Sequence, residues 1–173
     1  MWFRGVWRNE TDSRLTDAQG QALLALDRLI TGIADAFMDS DPIVAITGQV
    51  RSNLIGTDAF QEVDIFGITL PITKHNYIVK DTALLARTIK EAFHIAKTGR
   101  PGPVLVDLPV DVSSGSAVMG DETEPMDLPG YHVRVNGHIR QIKRAAEAIN
   151  RSERPVIYAG GGVILSNGSE ALR

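Results

Sequence analysis

The sequence predicts an α/β protein built on a mainly parallel sheet. Three observations carry this. Short β-branched runs recur at Ile43–Thr47 and Pro103–Asp107, dense enough in apolar residues to be buried on both faces. Amphipathic helical stretches lie between and around them. The connections are short and marked by glycine and proline, as alternating helix and strand require.

Taken in order, residues 1 to about 16 mix Trp2, Phe3 and Trp7 with Arg4, Arg8, Glu10 and Asp12, show no period, and read as loop. From Asp17 apolar residues recur at threes and fours (Ala22, Leu23, Leu26, Ile30, Ile33, Phe37), which predicts a helix that Asp41-Pro42 breaks. Ile43–Thr47 follows as a strand closed by Gly48. The next apolar run, Ile65–Ile72, contains Gly67 and Pro71, so strand is expected only in its middle. A second helix runs from Ala83 to about Lys97, with Leu84, Leu85, Ile89, Ala92, Phe93 and Ala96 on one side, and Gly99 suits a left-handed C-cap. Ser113–Pro129 reads as a linker. Beyond it a helix is expected over Gly137–Ile149, a strand over Pro155–Ala159 and a turn at Gly160-Gly161-Gly162.

The 173 residues, 43% hydrophobic and 23% charged, are enough for one domain and the start of another. A net charge of −3 gives no reason to expect a nucleic acid or an anionic membrane. The absence of cysteine excludes disulfides and thiolate chemistry and fits a reducing cytoplasm. No apolar run approaches the ~20 residues that span a bilayer, and Arg4, Arg8 and Glu10 interrupt any secretory signal.

Chemistry is expected in the loop Gly56-Thr57-Asp58-Ala59-Phe60-Gln61-Glu62, beyond the carboxyl end of the first strand, where open α/β sheets bind ligands. Phe60 offers a flat apolar face and Gln61 an acceptor with two donors. The plainer reading makes the loop a helix start, with Thr57 or Asp58 as cap and Phe60 in the core. Arg100, inside the rigid Gly99–Pro103 turn, suits a phosphate or carboxylate, or simply the end of the preceding helix. Gly160-Gly161-Gly162 could admit a cofactor phosphate but fails the dinucleotide spacing. His75, His94, His132 and His138 show no metal spacing, and Glu62, Asp64 and Asp107 have no evident second carboxylate partner.

Several stretches together resemble the acetolactate (acetohydroxyacid) synthase large subunit. They are Thr31–Ala36 with Pro42–Val50, Ile55–Glu62, Thr73–Tyr77 and Gly99–Val104, in matching order and spacing, with Pro155–Gly162 further on. The resemblance, from about Leu29 to Arg173, implies an incomplete pyrimidine-binding domain at 29–112, a linker at 113–130 and the start of a central α/β domain at 131–173, after an unmatched segment 1–28. It implies a thiamine-diphosphate enzyme, with Mg2+ and a non-redox FAD, that condenses two 2-oxoacids with loss of CO2 in branched-chain amino-acid biosynthesis. The implied setting is a cytoplasmic homo-oligomer with a regulatory small subunit. Carried over by position, Gln61 faces the thiamine adduct and substrate, Phe60 forms the neighbouring wall, Arg100 and Gly161 touch FAD, and Lys74 lies near the substrate channel. The family's glutamate motif and metal-binding domain are not matched, so the chain is expected to be a fragment, inactive by itself, from a frameshifted, split or decaying gene. Val110, where most members carry lysine, and Arg51, often proline, are departures. Val110 keeps a glyoxylate carboligase or pyruvate oxidase type of thiamine enzyme as an alternative, and a non-catalytic gene remnant is a separate one.

Overall fold

The computed structural model describes residues 18–60, 62–118 and 125–173, with side chains of the first helix from residue 28 onward. The chain divides into two compact units, with the boundary between Val133 and Arg134.

The first unit has helix α1 (Ala18–Asp39), strand β1 (Val44–Gln49), helix α2 (Ile65–Thr69), strand β2 (His75–Ile78), helix α3 (Leu85–Lys97), strand β3 (Val104–Pro109) and a short helix α4 (Val110–Ser113). The three strands are parallel in the order β1-β3-β2, so the expected α/β architecture with a parallel sheet is present. Successive side chains of β3 point to opposite faces and divide the core. Val104 and Val106 pack with Ala92, Ile95 and Ala96 of α3. Leu105 packs with Ile33 of α1 and Ile65 of α2. Helices thus cover both faces of the central strand, which is the condition for burying an all-parallel sheet.

The helix ends follow local chemistry. Ser40 takes a left-handed conformation (φ 65°) and the Asp41 amide reaches back to the Ala36 carbonyl at 2.8 Å, so a C-terminal turn closes α1 before Pro42 is reached. Gly99, at φ 64°, follows α3 as expected.

Three expectations for this unit need correction. Ile65–Ile72 is not a strand but α2 and a 3-10 turn, Leu70–Ile72. Asp64 caps α2 by accepting the Gly67 amide at 2.9 Å, and a buried set of Thr69, Thr73 and Asn76 then ties it to β2. The strand of this region is β2 instead. β1 is not buried on both faces: as an edge strand it buries Val44 and Ala45 and leaves Ile46 exposed. On α3 the buried stripe runs through Ala92, Ile95 and Ala96, while Leu84 and Phe93 are half-exposed.

The second unit contains α5 (Ile139–Arg151), α6 (Gly161–Leu165) and α7 (Ser169–Leu172). The helix expected over Gly137–Ile149 is α5, but Pro155–Ala159 forms no strand, and Val156 and Tyr158 are almost fully exposed. Its apolar pattern is that of a strand, yet no described residue of the unit offers a ladder partner, and a strand exists only by pairing. The glycine run is the start of α6 rather than a free turn.

Candidate functional site

The carboxyl ends of β1, β2 and β3 open onto a cleft of about 310 Å³ lined by Gln49, Asp58, Glu62, Asp64, Phe66 and Asp107, with Ile55 and Ile78 among its apolar walls. This is the edge at which open parallel sheets take ligands. Register makes the site: Thr47 of β1 stands opposite Asp107 of β3. The Asp107 carboxylate is fully buried, accepting the Thr47 hydroxyl at 2.7 Å and the Gln49 amide at 3.0 Å. Burial pushes the Asp107 carboxyl up from its usual range, the two hydrogen bonds oppose this, and the nearby Asp64 charge adds to it.

The loop from Gly56 to Glu62 is not a helix start. Gly56 and Asp58 both have positive φ, 84° and 55°, and the loop is closed by Glu62, whose carboxylate accepts the amides of Gly56 and of Ala59, the latter at 3.0 Å. These backbone bonds, that from Gly56 foremost, hold the Glu62 carboxyl below the ordinary glutamate range. Thr57 turns its hydroxyl to the Leu54 carbonyl at 2.7 Å and caps nothing. Phe60 is not in the core: it is 71% exposed, a free apolar face on the loop that borders the cleft. Gln61 lies outside the described residues.

The other expected residues lie elsewhere. Lys74 precedes β2, at the amino edge of the sheet, and its amide bonds to the Pro103 carbonyl. Its ammonium donates to the carbonyls of Ile95 and Thr98 (2.7 Å to the latter), at the C-terminus of α3, with the Tyr131 hydroxyl at 3.3 Å. Arg100 is exposed at the same edge, with Nε donating to Ser40 at 2.8 Å and a terminal nitrogen near the Phe37 and Met38 carbonyls. Gly161 opens α6 in the second unit, and a Cβ there, or at Gly160 or Gly162, meets nothing within 4 Å. The structure therefore brings Phe60 and the loop to one edge, and Lys74 and Arg100 to the other.

Sequence reasoning missed the gathering of Glu62, Asp64 and Asp107 around one cleft. The signal was present in Thr47 and Gln49, polar residues at the end of an apolar strand, but their partner is some 60 residues away. Among the described residues no group of three or more His, Asp or Glu could hold a metal ion, and no helix is long and apolar enough to cross a membrane.

Fold and cleft define an α/β protein with a cleft at the carboxyl ends of a parallel sheet. No protein-family model matches the chain. Curated relatives do. The chain is 54% identical over 146 residues to the probable acetolactate synthase large subunit of Methanocaldococcus jannaschii, covering 83% of this chain and 25% of that protein. It is 55% identical over 145 residues to the acetolactate synthase of Mycobacterium leprae (84% and 23%), and 53% identical over 147 residues to the acetolactate synthase large subunit of Corynebacterium glutamicum (84% and 23%). The chain is a homologue of part of the acetolactate synthase large subunit, and spans about a quarter of the length of the curated relatives it matches.

Proposed function

We propose that this chain is the part of an acetolactate synthase that supplies the substrate-facing loop, in an enzyme condensing two 2-oxoacids with loss of CO2 for branched-chain amino-acid biosynthesis. The observation that carries the reading is the loop Gly56–Glu62 beside a cleft at the carboxyl edge, within a stretch about half identical to acetolactate synthases. In the proposal Gln61 presents its amide to the reacting group, and exposed Phe60 shields the approach from water. Thiamine diphosphate, when bound, supplies the carbanion chemistry, and the protein supplies position and electrostatics.

The cleft fits only one end of that cofactor. Its polar lining is Gln49 with Asp58, Glu62, Asp64 and Asp107, with no lysine or arginine, which suits a ring carrying N–H donors. A diphosphate does not fit this acidic lining, and Mg2+ finds no ligand group among the described residues. For FAD, the exposed Arg100 fits an anionic group by charge. The three glycines at α6, whose Cβ positions meet no neighbour, leave Gly161 open to a close ligand. Lys74 keeps the substrate-channel assignment by resemblance alone, because its ammonium is held on the end of α3. A homo-oligomer, a regulatory small subunit and a cytoplasmic setting, which the lack of cysteine fits, complete the proposal.

A chimera tests it. Residues 29–173 replace the corresponding quarter of the Methanocaldococcus jannaschii relative, and the product is assayed with pyruvate, thiamine diphosphate, magnesium and FAD. Acetolactate formation supports the reading. A folded, cofactor-binding chimera that makes none overturns it.

A further inference from the structure

A line of hydrogen bonds runs from the buried centre of the sheet to the loop at its edge. Asp107 accepts Gln49 Nε2 at 3.0 Å, and the same nitrogen donates to the Val63 carbonyl at 3.1 Å. Gln49 Oε1 accepts the Val50 amide at 2.8 Å. Both amide donors and one acceptor position of Gln49 are therefore engaged, and only one orientation satisfies them. Turning the amide over sets its oxygen against the Asp107 carboxylate and the Val63 carbonyl, and its N–H groups against the Val50 amide. Val63 adjoins Glu62, whose carboxylate closes the loop on Gly56 and Ala59. The line thus ends beside Glu62, whose carboxylate ties Gly56 and Ala59 together.

We propose that Gln49, oriented by Asp107, is the positioning residue that fixes the loop of residues 56–63 over the cleft. For its consequence on turnover this rests on the function proposed above; the geometry stands without it. Asp107 is suited to the task because it is fully buried on the central strand and already held by Thr47. It acts here as an acceptor for Gln49, so charge is not what the line requires. An asparagine at 107 preserves the arrangement: its oxygen accepts from Gln49 while its nitrogen donates to the Thr47 hydroxyl. A glutamate at 49 does not, since it has no donor for either Asp107 or Val63.

The test is backbone 15N relaxation on the 173-residue chain. In the wild type the amides of Gly56, Ala59 and Val63 should show order parameters near ~0.85, the rigid value. Gln49→Ala and Gln49→Glu should drop them below ~0.6, with Leu105 and Val106 unchanged. Asp107→Asn should keep the loop rigid and Asp107→Ala should release it. A loop equally rigid in Gln49→Ala overturns the proposal, and so does an Asp107→Asn loop as mobile as that of Gln49→Ala. If Asp107→Ala does not fold, those two variants still decide. In the chimera, Gln49→Ala should lower kcat by on the order of 10²-fold with KM little changed, the effect of misplacing a positioned group by ~1 Å. An unchanged kcat in an active chimera counts against the positioning role. A chimera inactive without any substitution sinks the proposed function instead, while the relaxation data still decide the positioning of the loop by Gln49.

Discussion

Asn76 is the residue on which the placement of α2 depends, and replacing it with alanine should unfold the first unit at markedly lower denaturant. Its side chain, 4% exposed, donates to the Phe66 carbonyl at 2.9 Å and to Thr69 Oγ1 at 3.0 Å, and its oxygen lies 2.6 Å from the Thr73 hydroxyl. Three hydrogen bonds at about 1 kcal/mol each give about 3 kcal/mol. The Phe66 carbonyl and Thr69 hydroxyl lose a partner in buried surroundings, which holds the cost to that figure rather than below it. With a urea slope of about 1–3 kcal/mol/M, the midpoint should fall by about 1–3 M. Far-UV circular dichroism in urea reads this directly. The control is His75→Ala on the same strand, where an exposed ring in edge contact with Tyr77 is lost, at no more than about 1 kcal/mol. If Asn76→Ala costs no more than His75→Ala, the buried network does not hold α2, and a helix at Ile65–Thr69 must owe its place to something else.

Gln61→Ala in the chimera should lower turnover by roughly 10²–10³, the cost of one preorganised polar contact, with the urea midpoint unmoved; steady-state kinetics with pyruvate reads it, and an unchanged rate makes the loop structural. Glu62 has a depressed carboxyl pKa, so its loop closure is complete above the ordinary glutamate value of 4.5 and is lost as pH falls through the lower folded value. Relaxation of the Gly56 and Ala59 amides followed downward in pH should therefore show the loop loosening only below the ordinary range, and loosening above it contradicts the bonding described. Amides of Val104 to Val106, in a fully buried ladder, should exchange with solvent far more slowly than those of Val156 to Tyr158, which have no ladder; equal protection in the two stretches speaks against that difference.

The elements legible in the sequence were those whose local signals agree. β3 is an apolar run with a glycine-proline entry, α5 keeps its 3.6-residue period, and Gly99 marks the end of α3 where a positive φ is needed. The failures have physical causes. Ile65–Ile72 is apolar throughout, and periodicity alone does not separate a buried helix from a strand over so short a run. The Asp64 cap three residues before Gly67 was the available local sign, but Asn76, which secures the helix, lies beyond the window. β2 escaped notice because His75 and Asn76 look polar, although Asn76 faces the interior. The acidic cleft was invisible for a related reason: Glu62 and Asp107 become neighbours only through the parallel register of β1 and β3.

The separation of the two sheet edges bears on how many chains make one site. Lys74 and Arg100 stand at the amino edge, bonded to the terminal carbonyls of α3 and α1, where the helix dipoles favour positive charge. The loop with Phe60 is at the carboxyl edge, and a six-residue strand such as β1 separates the edges by ~20 Å. No lysine stem crosses that distance over a packed sheet. If Lys74 and Gln61 both serve one substrate, as the proposed function holds, they must come from different copies of the chain. Two chimeras, one with Gln61→Ala and one with Lys74→Met, should each be impaired alone. Co-expressed, they form mixed dimers in which one site of the two has both residues intact. Random pairing makes half the dimers mixed, so roughly one quarter of all sites should work. Activity assayed on the co-expressed, purified mixture should rise toward that fraction. If the mixture stays as low as the average of the two single variants, Lys74 and Gln61 do not share a site across copies, and Lys74 is left with the role the structure gives it, as the cation that closes α3.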